Sequence, residues 1–208
     1  MGQVIADLQP FLSWMAAFKA KIDEHASELT DLDRQIGDAD HGSNMARGVQ
    51  AISEIDPGTV ADPGAYLKKA GMALVSKVGG ASGPLYGTLL MKMGAALPAG
   101  ELTRDDFLGA LRTGVEGLQA RGKAEVGDKT MLDVWFPALD AADAAEGSLT
   151  AALQAATEAA RAGAEATIPM IARKGRASYL GERSKGVKDP GSASSVLLIE
   201  AALEAFGE

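Results

Sequence analysis

The sequence predicts an all-α fold of about eight helices. Three observations carry this expectation. Apolar residues recur at three- and four-residue intervals over most of the chain, as one face of a helix requires. No segment shows the alternating, β-branched pattern of a strand. Loops bearing glycine or proline, such as Pro57-Gly58 and Asp189-Pro190-Gly191, punctuate the helical stretches.

The first helix is expected from near residue 3 to about residue 33. Phe11, Met15, Phe18, Ile22, His25 and Leu29 share one face of it. Pro10 either sits in its first turns or delays its start. A second helix covers roughly 43–54 and stops before Pro57-Gly58. A third runs over about 64–77, with Tyr66, Ala70, Leu74 and Val78 at helical intervals. Pro84 has a fixed φ that suits a first helical residue, so a fourth helix follows it to Leu97. Thr103 with Asp106 three residues later reads as a capping-box variant, opening a fifth helix to about 120. The sixth covers about 129–145, with Pro137 as a kink. Ser148 caps an alanine-rich seventh helix expected to reach Arg173, its last turns bent by Pro169. Residues 174–191 read as a loop, and an eighth helix spans about 192–206. The whole chain, 1–208, is expected to be a single domain.

Composition narrows the function classes. A chain of 208 residues, 47% of them hydrophobic, is long enough to bury a large core. It has no cysteine, which excludes disulfides, thiol catalysis and cysteine-ligated metals, and suits a cytoplasmic location. A net charge of −8 and only 5% aromatic residues argue against a nucleic-acid surface. The apolar runs fall well short of the roughly 20 residues that span a bilayer, so no membrane partner is expected. The opening residues lack the basic and apolar regions of a secretory signal.

The chemistry concentrates in four loops. In the first, Asp31, Asp33, Asp38 and Asp40 fall within ten residues, and Arg34 offsets only one of them. Such a cluster is either a solvated acidic turn or a cation site. If Gly37 reverses the chain, Asp38 and Asp40 point back towards Asp33, an oxygen set that suits Mg²⁺. An EF-hand fails: the glycine falls at loop position 5 and Val49 stands where the bidentate Glu belongs. The second loop, Gly79-Gly80-Ala81-Ser82-Gly83, lets a ligand approach the backbone before a helix start. The third, around Gly122 and Gly127-Asp128-Lys129-Thr130, looks like a P-loop. Asp128 interrupts that motif and no strand precedes it, so a P-loop is rejected. Trp135 and Phe136 read as core rather than ligand-stacking residues. The fourth loop, 173–188, carries six basic residues against Glu182 alone, in an acidic protein. It reads as an anion-binding loop or as a solvated one.

Four stretches together resemble the nucleotide-binding L-subunit family of bacterial dihydroxyacetone kinases, in order and over nearly the whole chain. They are Asp33-x4-Asp38-Ala-Asp40-His41-Gly42-x-Asn44-Met45, Gly79-Gly80-Ala81-Ser82-Gly83-Pro84-Leu85-Tyr86-Gly87-Thr88, Gly127-Asp128-Lys129-Thr130-Met131, and Arg173-Lys174-Gly175-Arg176 through Arg183 with Asp189-Pro190-Gly191. The resemblance implies an antiparallel helical barrel with the nucleotide at one end. It implies two Mg²⁺ ions on Asp33, Asp38 and Asp40. ADP or ATP would meet His41, Gly42, Ser43, Asn44, Ala81, Ser82, Gly122, Met131, Arg176, Asp189, Pro190 and Gly191. Arg176, with Asp38, would work at the transferring phosphate, and the basic loop would be a lid and docking surface.

The resemblance further implies partners. A separate subunit would hold dihydroxyacetone, and a phosphohistidine protein of the phosphoenolpyruvate phosphotransferase system would rephosphorylate bound ADP. Two alternatives stay open: the nucleotide subunit of a two-chain ATP-dependent ketose kinase, and a nucleotide-sensing module serving a transcriptional regulator.

Overall fold

A computed structural model of the chain describes residues 7–207. These form eight α-helices: α1 (Gln9–Ile36), α2 (His41–Ser53), α3 (Pro63–Lys77), α4 (Ser82–Ala96), α5 (Arg104–Gly122), α6 (Leu132–Ala144), α7 (Leu149–Ala166) and α8 (Pro190–Phe206). Short 3-10 segments cover Pro57–Thr59 and Arg176–Ser184. No β-strand occurs among the described residues, so the all-α expectation holds.

Each helix packs against the one before it, and α8 returns to pack against α1. The C-terminal ends of α1, α3 and α5 meet the N-terminal ends of α2, α4, α6 and α8 around one cavity. Neighbours therefore run antiparallel round a closed ring. At the far end, Phe11 from the start of α1, Phe107 from the start of α5 and Phe206 from the end of α8 form an aromatic plug. The Phe206 ring centroid lies 5.1 Å from that of Phe11 and 4.7 Å from that of Phe107. Trp14 joins this plug and donates its indole N–H to the Leu198 carbonyl at 2.9 Å, which satisfies a polar atom inside the core.

The helix boundaries follow local chemistry. The capping box of α5 forms as its sequence suggests: Thr103 Oγ1 accepts from Asp106 N–H and the Asp106 side chain accepts from Thr103 N–H. Ser148 accepts from Ala151 N–H at the start of α7. Pro10 lies in the first turn of α1, which starts at Gln9; the expected start near residue 3 falls outside the described residues. The helix runs on to Ile36, one turn beyond expectation.

The larger difference is α7, which ends at Ala166 rather than at Arg173. Proline disfavours helix in the residue before it and removes an N–H from the ladder. Pro169 thus ends the helix instead of bending it. Thr167, fully buried, donates its hydroxyl to Ala164 O and accepts the N–H of Asp189, so the chain turns inwards and reaches α8 through a structured loop.

The α3–α4 crossing depends on reciprocal glycines. A Cβ on Gly94 would sit 2.6 Å from the Gly64 carbonyl oxygen, and a Cβ on Gly64 would sit 2.6 Å from that of Gly94. Gly71 and Gly87 face each other in the same way. Close backbone approach here sets the spacing of the two helices that carry the second glycine loop. Gly109 differs, because a Cβ there would meet nothing within 4 Å. Gly94→Val should cost about 2–3 kcal/mol in urea unfolding through overpacking, whereas Gly109→Ala should gain about 0.5–1 kcal/mol from helix propensity alone.

Candidate functional site

The cavity at the ring's open end encloses about 530 Å³, a volume suited to a nucleotide-sized ligand. One wall is acidic. The Asp33 carboxylate, 9% exposed, accepts the backbone N–H groups of Asp40 at 2.8 Å and His41 at 3.1 Å through Oδ2. That carboxylate on the last turn of α1 thereby caps the start of α2, where the Asp40 side chain makes no cap. A Cβ on Gly37 would fall 1.9 Å from Asp33 Oδ1, so glycine is required for the carboxylate to stand there. Ala39 takes a left-handed φ of 61°, and the turn brings Asp38 and Asp40 beside Asp33. One ligand oxygen from each of the three lies within 4.8 Å of the others. Crowded carboxylate oxygens with an open side fit a small hard cation such as Mg²⁺.

Opposite the acids, the start of α4 has no side-chain cap. With Gly80 at φ 65° just before it, its backbone N–H groups remain for a ligand, as an anion site requires. Arg176 enters from the basic loop and pairs with Asp38, Nη2 to Oδ2 at 3.0 Å. Leu85, Leu118, Ala124, Met131 and Leu132 form an apolar wall on the α4–α6 side, separate from the acids.

Beneath the cavity floor lies a polar network that ties three helices together. His41 Nδ1 meets Ser82 Oγ at 3.1 Å and Nε2 meets Ser194 Oγ at 2.9 Å. Ser194 Oγ lies 2.6 Å from Tyr86 Oη, which also meets Ser195 Oγ at 2.9 Å and the Gly191 carbonyl at 3.2 Å. Burial lowers the His41 pKa against the opposing pull of Asp33 and Asp40, and burial raises that of Tyr86. A neutral imidazole between two hydroxyls donates at one nitrogen and accepts at the other, so every member can be satisfied.

The cavity lining brings together Asp33, Asp38, Asp40, His41, Ala81 and Ser82 from one side. Gly122, Met131, Arg176, Asp189, Pro190 and Gly191 come from the other. Three expected ligand contacts lie off the lining. Gly42 packs on α1, where a Cβ would sit 1.9 Å from the Ala26 carbonyl oxygen. Ser43 bonds back to Asp40 O at 3.0 Å. Asn44 is buried, takes a hydrogen bond from Arg47, and lies under Gly79. Trp135 is core, as its sequence context suggests.

Sequence reasoning missed two residues at the third loop. Asp133 accepts Gly127 N–H and Thr130 N–H, which shapes the turn before α6; its spacing of three from Thr130 was the available signal. Lys129, which looks like a phosphate ligand in a P-loop, is instead 1% exposed and bonded to backbone carbonyls.

Fold and site together define a helical ring whose open end joins a carboxylate cluster to an uncapped helix start. The chain belongs to the DAK2 domain family, whose pattern it matches over residues 35–204. It is 45% identical over 194 residues to the ADP-binding subunit of the PEP-dependent dihydroxyacetone kinase of Escherichia coli (strain K12), covering 91% of this chain and 92% of that one. It is 40% identical over 194 residues to the ADP-binding subunit of the PTS-dependent dihydroxyacetone kinase of Lactococcus lactis subsp. lactis (strain IL1403), covering 93% and 95%. Among solved structures, it matches the C. freundii dihydroxyacetone kinase in complex with AMP-PNP and Mg²⁺ with a TM-score of 0.71 and 27% identity. That match covers 98% of this chain and 35% of the other, so the chain spans about a third of that kinase.

Asp189 gives the site a measurable pH signature. Its carboxylate caps α8 by accepting Ser192 N–H at 2.7 Å, yet burial pushes its pKa from 3.8 up to about 6. The folded chain therefore holds this proton more tightly than the unfolded one. The group's stabilisation is full below pH 3.8 and is lost as pH rises through about 6. Asp189→Asn keeps a competent cap. It should raise Tm of the ligand-free chain at pH 7.5 by roughly 2–6 °C and flatten the fall in stability between about pH 4 and 6.

Proposed function

We propose that this chain is the ADP-binding subunit of a phosphoenolpyruvate-dependent dihydroxyacetone kinase. The observation that carries the proposal is one cavity lined by Asp33, Asp38 and Asp40 together with the uncapped start of α4, with Arg176 paired to Asp38. Phosphoryl transfer needs positioning and charge neutralisation more than covalent help from protein. When bound, ATP would supply the phosphoryl group and leave ADP in place, and two Mg²⁺ ions would supply the positive charge that offsets the acids and the phosphates.

The chain's own residues bind, orient and shield. Asp33, Asp38 and Asp40 hold the cations, while the Gly79–Ser82 turn receives phosphate oxygens on backbone N–H groups. His41 fixes Ser82 and hence the start of α4. Asn44 supports the same turn from behind at Gly79, while Gly42 seats the start of α2 on α1 and Ser43 braces the acidic turn at Asp40. The apolar wall by Gly122 and Met131 would hold the base, and Asp189, Pro190 and Gly191 close the third side. Arg176 and Asp38 would form the catalytic pair, the guanidinium offering its charge to a bound phosphate beside the Asp38 carboxylate.

The partners in this reading are a separate subunit that holds dihydroxyacetone and a phosphohistidine protein of the phosphotransferase system that recharges ADP in place. A transcriptional regulator that reads the nucleotide state is a further partner. The setting is cytoplasmic, and no described helix is long and apolar enough to cross a membrane.

Nucleotide content tests the reading directly. The purified chain should release about one ADP on denaturation, retained through dialysis and lost when EDTA is added. An empty chain that exchanges free ATP would point to the ATP-dependent ketose kinase instead. No Mg²⁺-dependent binding of either nucleotide would end the proposal. Asp38→Ala should abolish ADP retention and cut phosphorylation of dihydroxyacetone by about 100-fold or more with the partner proteins supplied.

A further inference from the structure

Lys129 is the one lysine among the described residues that is fully buried. Its Nζ donates to Ser184 O at 2.6 Å and Val187 O at 2.7 Å, and lies 3.3 Å from Met170 O and 3.4 Å from Ile168 O. An ammonium has three N–H groups, so two make short bonds and the third is shared by the two longer contacts. No carboxylate lies within ion-pair distance of it among the described residues. Its charge is met by carbonyl dipoles, the way channel filters hold potassium.

The four carbonyls are not from one turn. Ile168 and Met170 belong to the chain entering the basic loop, and Ser184 and Val187 to the chain leaving it. Other bonds reinforce the same junction: Gly186 N–H to Ile168 O at 2.8 Å, Ala172 N–H to Ser184 Oγ at 2.9 Å, and Arg173 N–H to Asp128 O at 3.0 Å. Between the two ends lie Lys174, Gly175 and Arg176, which reach the cavity. The backbone at Lys129 has φ 62°, a region glycine would occupy without strain. A lysine there implies that its side chain compensates.

We infer that Lys129 is a positioning residue, a tethered cation that closes the base of the basic loop, and that its carbonyl cage will take a free ammonium or potassium ion once the side chain is removed. The loop that presents Arg176 is thus held by a cation the chain supplies itself at the edge of the cavity, bonded to carbonyls, with Asp189 acting on it only through space. Only the ligand arm of the test below rests on the proposed ADP site.

The full chain carries its own probe, because Arg173, Lys174, Arg176, Arg183 and Lys185 are exposed trypsin sites whose cleavage requires the loop to open locally. Lys129→Gly relieves the backbone and empties the cage. In tetramethylammonium chloride, whose cation is too large to enter, cleavage within 173–188 should rise about tenfold over wild type, as expected when a closed loop loses its internal bonds. In ammonium or potassium chloride of equal ionic strength it should return to within about twofold of wild type. Lys129→Met fills the space without the charge, so it should loosen the loop with no rescue by either salt.

Wild-type cleavage rates in both variants would overturn the inference. So would a loosened Lys129→Gly loop that responds alike to all three salts. If Lys129→Gly fails to fold by circular dichroism, Lys129→Met decides: wild-type cleavage there overturns the clasp. ADP retention separates this inference from the proposed function. A chain that never binds ADP but shows salt-rescued loop closure loses the function and keeps the clasp; one that binds ADP with a loop indifferent to residue 129 does the reverse.

Discussion

The structure depends on the closure of an even ring. Eight helices alternate in direction, joined by short connections except for the long basic loop between α7 and α8, and α8 must meet α1 antiparallel for the ring to close. One end then collects the N-terminal ends of α2, α4, α6 and α8. Each helix start carries partial positive charge and unsatisfied N–H groups. Four such starts around one opening, filled with carboxylates on one side and a basic loop on another, make the open end polar and the other end apolar. The aromatic plug of Phe11, Phe107 and Phe206 occupies that apolar end. Site and core are therefore separated along the ring axis by topology rather than by any single residue.

Within that frame, each helix start at the cavity is handled differently, and the differences define the chemistry. The Asp33 carboxylate from α1 caps α2, and Asp189 caps α8. Asp133 absorbs the N–H groups of the turn before α6. At α4 no side chain does so. Three starts are satisfied from inside the chain and the fourth is left to a ligand. Asp33 spends Oδ2 on the cap, Oδ1 stands against Gly37, and its carboxylate lies beside those of the other two acids. The same residue thus fixes the α1–α2 turn and completes the carboxylate cluster.

Most of the helices were legible in the sequence because burial imposes a 3.6-residue period and caps announce the starts. The capping box at Thr103 and Asp106 and the Ser148 cap are local signals that tertiary packing did not override. The end of α7 was only partly legible. Pro169 marks a break, but the stop at Ala166 also depends on Thr167 turning inwards to accept the Asp189 N–H, a contact 22 residues away in sequence. The acids, glycines and Arg176 at the cavity were legible because their residue types are unusual in such density. Gly42 and Asn44 lie in the same motif, and the sequence could not tell a ligand contact from a packing contact there.

Lys129 shows the deeper reason for such failures. A lysine beside glycine and threonine has two opposed uses: its ammonium can meet a phosphate or it can meet carbonyl dipoles. The residue type is the same, and the deciding factor is the backbone conformation at position 129, which carries the ammonium to the loop carbonyls although the residue borders the cavity. Burying an unpaired charge is costly unless its hydrogen bonds are fully met. Four carbonyls from two chain segments meet them, and the same bonds that satisfy the charge hold the loop. The cost of desolvating the ammonium is what makes the loop's closed geometry specific: opening the loop would leave that charge in the protein with its partners gone. A phosphate-binding lysine would impose no such condition, so the motif's resemblance to a P-loop ends at composition, and its physical role is to fix where Arg176 can stand.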